Sequence, residues 1–166
     1  ISLQKGRLSI GQHTGRLIVD SYKASVAIKN LKGELSLESF SGSVVVSQHK
    51  GDAQVLLHKG TLEVLKSFGS YGLRSEKAKI YFSSHKGGLK GRLNAGLINA
   101  KLIGQQAVQI NGRSAPVSLK VASTGARVDI GSLGGYLTVP RQLARAKVGQ
   151  MTVSKGRLSG SSGGSV

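Results

Sequence analysis

The chain has 166 residues, 39% of them hydrophobic but only 4% aromatic, which suffices for one domain with a thin aliphatic core and excludes a globule built on aromatic clusters. Twenty-four Lys and Arg against seven Asp and Glu give a formal net charge of +17, so long-range attraction favours anionic surroundings such as nucleic acid, acidic glycans or lipid headgroups. The absence of cysteine excludes disulfides, Cys-ligated zinc and thiol catalysis.

Taken in chain order from Gly6, the sequence divides into nines: GRLSIGQHT, GRLIVDSYK, ASVAIKNLK, GELSLESFS, GSVVVSQHK, GDAQVLLHK, GTLEVLKSF, GSYGLRSEK, AKIYFSSHK, GGLKGRLNA, GLINAKLIG. The first place is Gly or Ala in every unit. The third and fifth are apolar in nearly all, as in Leu17 and Val19, Val26 and Ile28, or Leu35 and Leu37. Alternation over about five residues marks a strand with one buried face, and the polar sixth to ninth places leading into a small residue mark a turn. Self-similarity at so short a period predicts an all-β fold, a single-domain parallel β-solenoid, expected to be a right-handed β-helix.

Nine residues cannot close a coil, so the number of units per rung has to be read from finer patterns. The ninth place is Lys at 23, 32, 50, 59, 77 and 86, and its exceptions among the first ten units, Thr14, Ser41, Phe68 and Ala95, are spaced by 27. That spacing favours three units per 27-residue rung over the alternative, a two-sided rung of 18. On the three-sided reading Lys32, Lys59 and Lys86 stack on one corner and Lys23, Lys50 and Lys77 on another. His58 and His85 then lie one rung apart.

The frame loosens after Gly104. Val108 and Ile110, Val117 and Leu119, Val128 and Ile130, and Leu137 and Val139 keep the alternation, but the frame slips by one residue near 105 and by two more near 123. The expected organisation is a solenoid body over 1–139, regular over 6–104 and irregular over 105–139. A loop or cap insertion at 140–148, begun by Pro140, precedes a final strand around Met151 and Val153 and a flexible tail, together 149–166. Five to six rungs at about 4.8 Å each predict a rod of roughly 25 to 30 Å.

The basic columns Lys23, Lys50, Lys77, Lys32, Lys59 and Lys86 are the candidate anion-binding residues, a track for a linear polyanion. The four histidines, His13, His49, His58 and His85, all stand at the eighth place and read as half-buried corner residues. No Cys or carboxylate accompanies them, so no metal site is expected. The acids are spread one or two per rung instead of clustering as a polysaccharide-active β-helix requires, and no nucleophile elbow, P-loop or zincin motif occurs, so neither catalytic residues nor cofactors are expected. Against nucleic acid as the specific partner, Tyr22, Tyr71 and Tyr81 form no stacking series.

The stretch "GELSLESFSGSVVVSQHKGDAQV" (33–55), with its recurring S-G-x-V-x-V and K-G-x-x-x-V phrases, resembles the bacterial adhesin-type β-solenoids of the cell envelope. A weaker resemblance is to bactofilins, triangular β-helices that polymerise end to end, from which this chain departs in its positive charge. The resemblance implies a non-catalytic structural or adhesive module, periplasmic or surface-exposed, and the repeat and the charge lead to the expectation of an anionic polymer or surface as partner: glycan, lipopolysaccharide or nucleic acid. Self-association as a cytoplasmic scaffold is the alternative it leaves. No apolar run is long enough to span a membrane, and a chain that begins at Ile1 is expected to be a piece from which a signal or anchor has been removed.

Overall fold

The computed structural model describes residues 1–103, 107–114, 117–121, 127–131, 137–138, 146–148 and 151–153. Their strands are β1 (Ser2–Ile10), β2 (His13–Thr14), β3 (Leu17–Lys29), β4 (Leu31–Lys32), β5 (Leu35–Ser47), β6 (Ala53–Leu65) and β7 (Tyr71–His85). They continue as β8 (Leu89–Leu102), β9 (Ala107–Ser114), β10 (Val117–Val121), β11 (Arg127–Gly131), β12 (Leu137–Thr138), β13 (Ala146–Val148) and β14 (Met151–Val153). The described residues include no helix. The parallel sheet runs β1-β3-β5-β6-β7-β8-β9-β11, so the chain is a β-solenoid, as its short repeat implies.

The rung is two-sided. Leu17 lies beside Leu35, Leu35 beside Ala53, and Ala53 beside Tyr71, an offset of 18 each time. This corrects the 27-residue rung in favour of its 18-residue alternative. The 27-residue spacing came from the ninth place, which points into solvent, where the identity of one side chain hardly constrains the next.

Each long strand crosses both faces of the solenoid. Residues 17–21, 35–39, 53–57, 71–75 and 89–93 form the first face. The chain then bends near the small residue of the next unit and forms the second face with 24–29, 42–47, 60–65, 78–83 and 96–102. A sharp turn at 30–34, and at its equivalents 18 residues on, returns it to the first face. Here the seventh place takes the left-handed conformation, with φ of 51° at Asn30, 55° at Gln48, 52° at Lys66 and 60° at Ser84. The glycine that follows is forced by contact as well as conformation. Gly51 has φ 143°, and a Cβ there would sit 2.0 Å from the carbonyl oxygen of Gly33 in the rung below.

The core is the space between the two faces, filled by the third and fifth places as the alternation predicts. Val19, Ile28, Leu37, Val46, Leu62, Val64 and Ile80 are all at most 2% exposed. Bulky and small residues trade along these columns: Tyr71 sits beside Ala53, Leu73 beside Gly91, and Phe82 beside Ala100. One rung can therefore hold two facing aromatics, Tyr71 and Phe82, centroids 5.3 Å apart, because its neighbours give up volume. Among the described residues the buried apolar side chains are otherwise aliphatic.

Beyond β8 the frame slips as the sequence indicates. Leu89 pairs with Val108, an offset of 19, and Val108 with Val128, an offset of 20. Ala146–Val148 pair in parallel with β11, while 140–145, most of the stretch expected to be a loop or cap insertion, lie outside the described residues. β14 (Met151–Val153) runs antiparallel to β13. The expected tail, 154–166, lies outside the described residues.

Candidate functional site

At the sharp turn the seventh place adopts positive φ, so the eighth side chain swings into the core and the ninth swings out. The ninth places form one ladder: Thr14 pairs with Lys32, Lys32 with Lys50, Lys50 with Phe68, and Phe68 with Lys86. Backbone bonds tie it together, Gly33 N–H to the Lys50 carbonyl at 2.8 Å, Gly51 N–H to that of Phe68 at 2.8 Å, and Gly69 N–H to that of Lys86 at 3.0 Å. Lys32, Lys50 and Lys86 therefore share one edge of the rod with a fixed rung spacing of about 4.8 Å.

The other three candidate lysines stand on the opposite edge, at the bend. Lys5 pairs with Lys23, Lys23 with Ser41, and Lys59 with Lys77. The grouping of Lys32 with Lys59 and of Lys23 with Lys50 is thus corrected, since an 18-residue rung brings alternate units together. Neither edge is an unbroken Lys column: Phe68 interrupts one and Ser41 the other.

The sharp-turn edge carries a groove of about 520 Å³, lined by Lys32, Lys50, Lys66, Lys86 and Phe68 together with amides and hydroxyls of the turns. No carboxylate lines it among the described residues. Glu34 and Asp52, two residues past the ladder lysines, are engaged elsewhere. Glu34 lies 3.9 Å from Arg16, and an Asp52 carboxylate oxygen accepts the Ser70 N–H at 2.9 Å. Phe68 is 55% exposed and carries the Lys86 ammonium 5.9 Å from its ring centroid. Placed between Lys50 and Lys86, it keeps them two rungs apart and halves a repulsion of about 0.8 kcal/mol between adjacent ammonium groups in water. Lys66 and Phe68 were not among the candidate anion-binding residues, Phe68 having been read only as an exception to the ninth-place lysine.

Beneath the edge lies a buried polar cluster. His49 and His85 are fully buried, and Leu31 and Ser67 occupy the same inward column. His49 Nε2–H donates to the Gly33 carbonyl at 2.9 Å, which leaves Nδ1 to accept the Tyr71 hydroxyl at 2.5 Å. His85 Nε2–H donates to the Gly88 carbonyl at 3.2 Å, and its Nδ1 accepts the Ser67 hydroxyl at 2.8 Å. Each imidazole is neutral in this arrangement. Burial holds both below the ordinary histidine range, against the pull of the carbonyls and, for His49, of Asp52. Burial likewise raises the Tyr71 phenol, an effect the nearby Ser67 hydroxyl partly offsets. Tyr71 packs edge-on against His49, Phe82 and His85.

His13 and His58 are half-buried, as expected of all four histidines, but that expectation is corrected for the fully buried His49 and His85, as is the stacking of His58 on His85. His85 faces inward at the sharp turn. His58 faces outward at the bend, its ring 5.3 Å from that of Phe40 and its nitrogens 3.5 Å from Glu38 and 3.3 Å from Glu76. Tyr22 stacks on Phe40 at 4.7 Å, so the outward column at the bend is a short aromatic ladder. Among the described residues no group of three or more His, Asp or Glu side chains is placed to hold a metal ion. No helix there is long and apolar enough to cross a membrane. Comparison with protein-family models, curated proteins and solved structures finds no match to this chain.

Proposed function

We propose that this protein is a non-catalytic structural or adhesive β-solenoid module of a bacterial cell envelope, whose sharp-turn edge contacts an anionic polymer or surface. The observation that carries the reading is the groove at the sharp-turn edge that Lys32, Lys50, Lys66 and Lys86 line, with no carboxylate among its described lining residues. Ammonium groups at rung spacing offer a linear polyanion a series of point contacts, and the backbone ladder beneath holds that spacing. The exposed face of Phe68 adds an apolar step on which a sugar ring or acyl chain can rest. The net charge of +17 supplies attraction at long range.

The test compares two triple variants with the same loss of charge: Lys32→Gln/Lys50→Gln/Lys86→Gln on the sharp-turn edge, and Lys23→Gln/Lys59→Gln/Lys77→Gln at the bend. Binding to heparin, lipopolysaccharide and duplex DNA is titrated across salt concentrations. The sharp-turn variant loses on the order of tenfold more affinity than the bend variant, and its salt slope falls by about one per lysine engaged. Equal losses from both variants would reduce the effect to net charge, and undetectable wild-type binding at low salt would remove the anionic partner altogether.

A further inference from the structure

The outward sixth-place column of the first face is sorted by charge. Reading across the rungs it runs Ser2, Asp20, Glu38, Leu56, Arg74, Arg92 and Asn111, each paired in register with the next. The order is neutral, acid, acid, neutral, base, base, neutral, antisymmetric about Leu56. Asp20, Glu38, Arg74 and Arg92 are exposed, and Leu56 is half-buried. A column that neutralised itself would alternate sign from rung to rung. This one sets like charges side by side, and no ion pair among the described residues engages Asp20, Arg74 or Arg92. Glu38 reaches only His58.

We propose that the first face is a docking surface for a second copy of this chain, packed face to face with the two rods antiparallel. The symmetry that does this is a two-fold axis lying in the interface, parallel to the strands and passing by Leu56. Such an axis reverses rung order and leaves position along the strand unchanged. It therefore sets Asp20 of one copy against Arg92 of the other, Glu38 against Arg74, and Leu56 against itself. Four opposite-charge pairs form around a central apolar contact, the isologous pattern of a two-fold dimer. Beside this ridge the fourth-place column runs Ser36, Gln54, Gly72 and Lys90, and the two columns line a groove of about 990 Å³. A linear polyanion is a poorer occupant, since Asp20 and Glu38 repel it at one end.

Two features oppose the pairing. The axis brings Asp52 near its own copy, although each Asp52 is turned onto the Ser70 N–H. A net charge of +17 also repels copies at long range. The contact pairs act where screening is weakest, whereas the long-range term fades beyond a Debye length of about 8 Å at 0.15 M salt. Five rungs by five residues give about 400 Å² of flat face per copy, half the ~800 Å² of a standard interface, so the dimer is weak and reversible. Because the axis keeps position along the strand, both sharp-turn edges lie on the same side of the dimer.

Sedimentation velocity at several hundred micromolar protein and 0.15 M salt tests this with two charge-reversal variants. Asp20→Arg/Glu38→Arg raises the net charge by four (17 + 4 = 21), and Arg74→Glu/Arg92→Glu lowers it by four (17 − 4 = 13). The wild type self-associates to a dimer. Each variant alone loses on the order of a hundredfold in association constant, because like charges then face each other. Mixed in equal amounts, the two variants form a heterodimer with every pair opposite. Loss of association in the Arg74→Glu/Arg92→Glu variant is the discriminating arm, since its lower net charge by itself favours self-association. Circular dichroism confirms that each variant folds. A monomeric wild type, variants that dimerise like the wild type, or a mixture that stays monomeric overturns the proposal. None of these outcomes depends on anion binding at the sharp-turn edge.

Discussion

Replacement of Gly51 by Ala tests the reason for the repeat's small first residue, with Gly15→Ala as its control. Both glycines hold positive φ, 143° at Gly51 and 106° at Gly15. An alanine at either position carries backbone strain of order 1–3 kcal/mol. Only Gly51 carries a second penalty. Its added Cβ would lie 2.0 Å from the Gly33 carbonyl oxygen and 2.7 Å from the Gly33 carbonyl carbon, whereas nothing lies within 4 Å of a Cβ on Gly15. Backbone must therefore move by roughly 1 Å or more to reach any tolerated contact, and the rungs part where Gly33 N–H meets the Lys50 carbonyl and Gly51 N–H that of Phe68. Losing those two bonds adds about 1–3 kcal/mol. Gly15→Ala is thus expected to destabilise by about 1–3 kcal/mol and Gly51→Ala by about 2–6 kcal/mol. Urea denaturation followed by circular dichroism measures the difference. Hydrogen exchange should localise it to the rungs around Gly51, since each rung touches only its neighbours. Equal losses from the two variants would refute the contact argument and leave conformation alone as the reason for glycine.

The buried histidines predict an acid limb. Their folded-state affinity for protons is depressed, so the unfolded chain protonates first, near pH ~6.5. Stability is fully present above that pH and falls as pH drops below it, by about 2.7 kcal/mol per unit for two groups, until the folded state itself titrates. Urea midpoints between pH 5 and 8 read this slope; His49→Gln/His85→Gln should flatten it, and a flat wild-type profile would contradict the neutral assignment. Tyr71 has the opposite sign: burial raises its folded-state value, so stability is present below pH ~10 and is lost as pH rises above it. Ser39 is 1% exposed and its hydroxyl has no partner, so Ser39→Ala should stabilise by about 1 kcal/mol. Ser75→Ala should instead destabilise by about as much, because the Ser75 hydroxyl accepts the Ala78 N–H at 3.2 Å; the same sign for both in thermal melts would refute the distinction.

The β-solenoid and its inward third and fifth places over the regular repeats are legible in the sequence because burial constrains those positions, and both late frame slips are legible in the spacing of the apolar pairs. A strand residue that faces the core must be apolar in every rung, whatever its neighbours. The rung length was misread because the ninth place is solvent-facing, where Lys, Ser, Phe and Thr are all admissible. A better cue lay in the turns. The seventh place alternates between Asn30, Gln48 and Lys66, which adopt positive φ at the sharp turn, and Ser39, Leu57 and Leu93, which are buried. The eighth place alternates between inward Leu31, His49 and His85 and outward Tyr22, Phe40 and His58. Histidine hid that alternation, since it stands on both sides.

By itself, then, the sequence determined that this chain coils into parallel rungs with a thin core and a strongly basic surface, because period and composition act residue by residue. Which residues meet was decided only by the fold. The left-handed turn residue sends one side chain of the His-Lys doublet inward and the other out, setting His49 against Tyr71 and leaving Lys50 in a groove with Lys32, Lys66 and Lys86. An 18-residue offset brings Asp20, Glu38, Leu56, Arg74 and Arg92 into one column. Both outcomes follow from the register, which the close approach of successive rungs fixes and which no single unit contains.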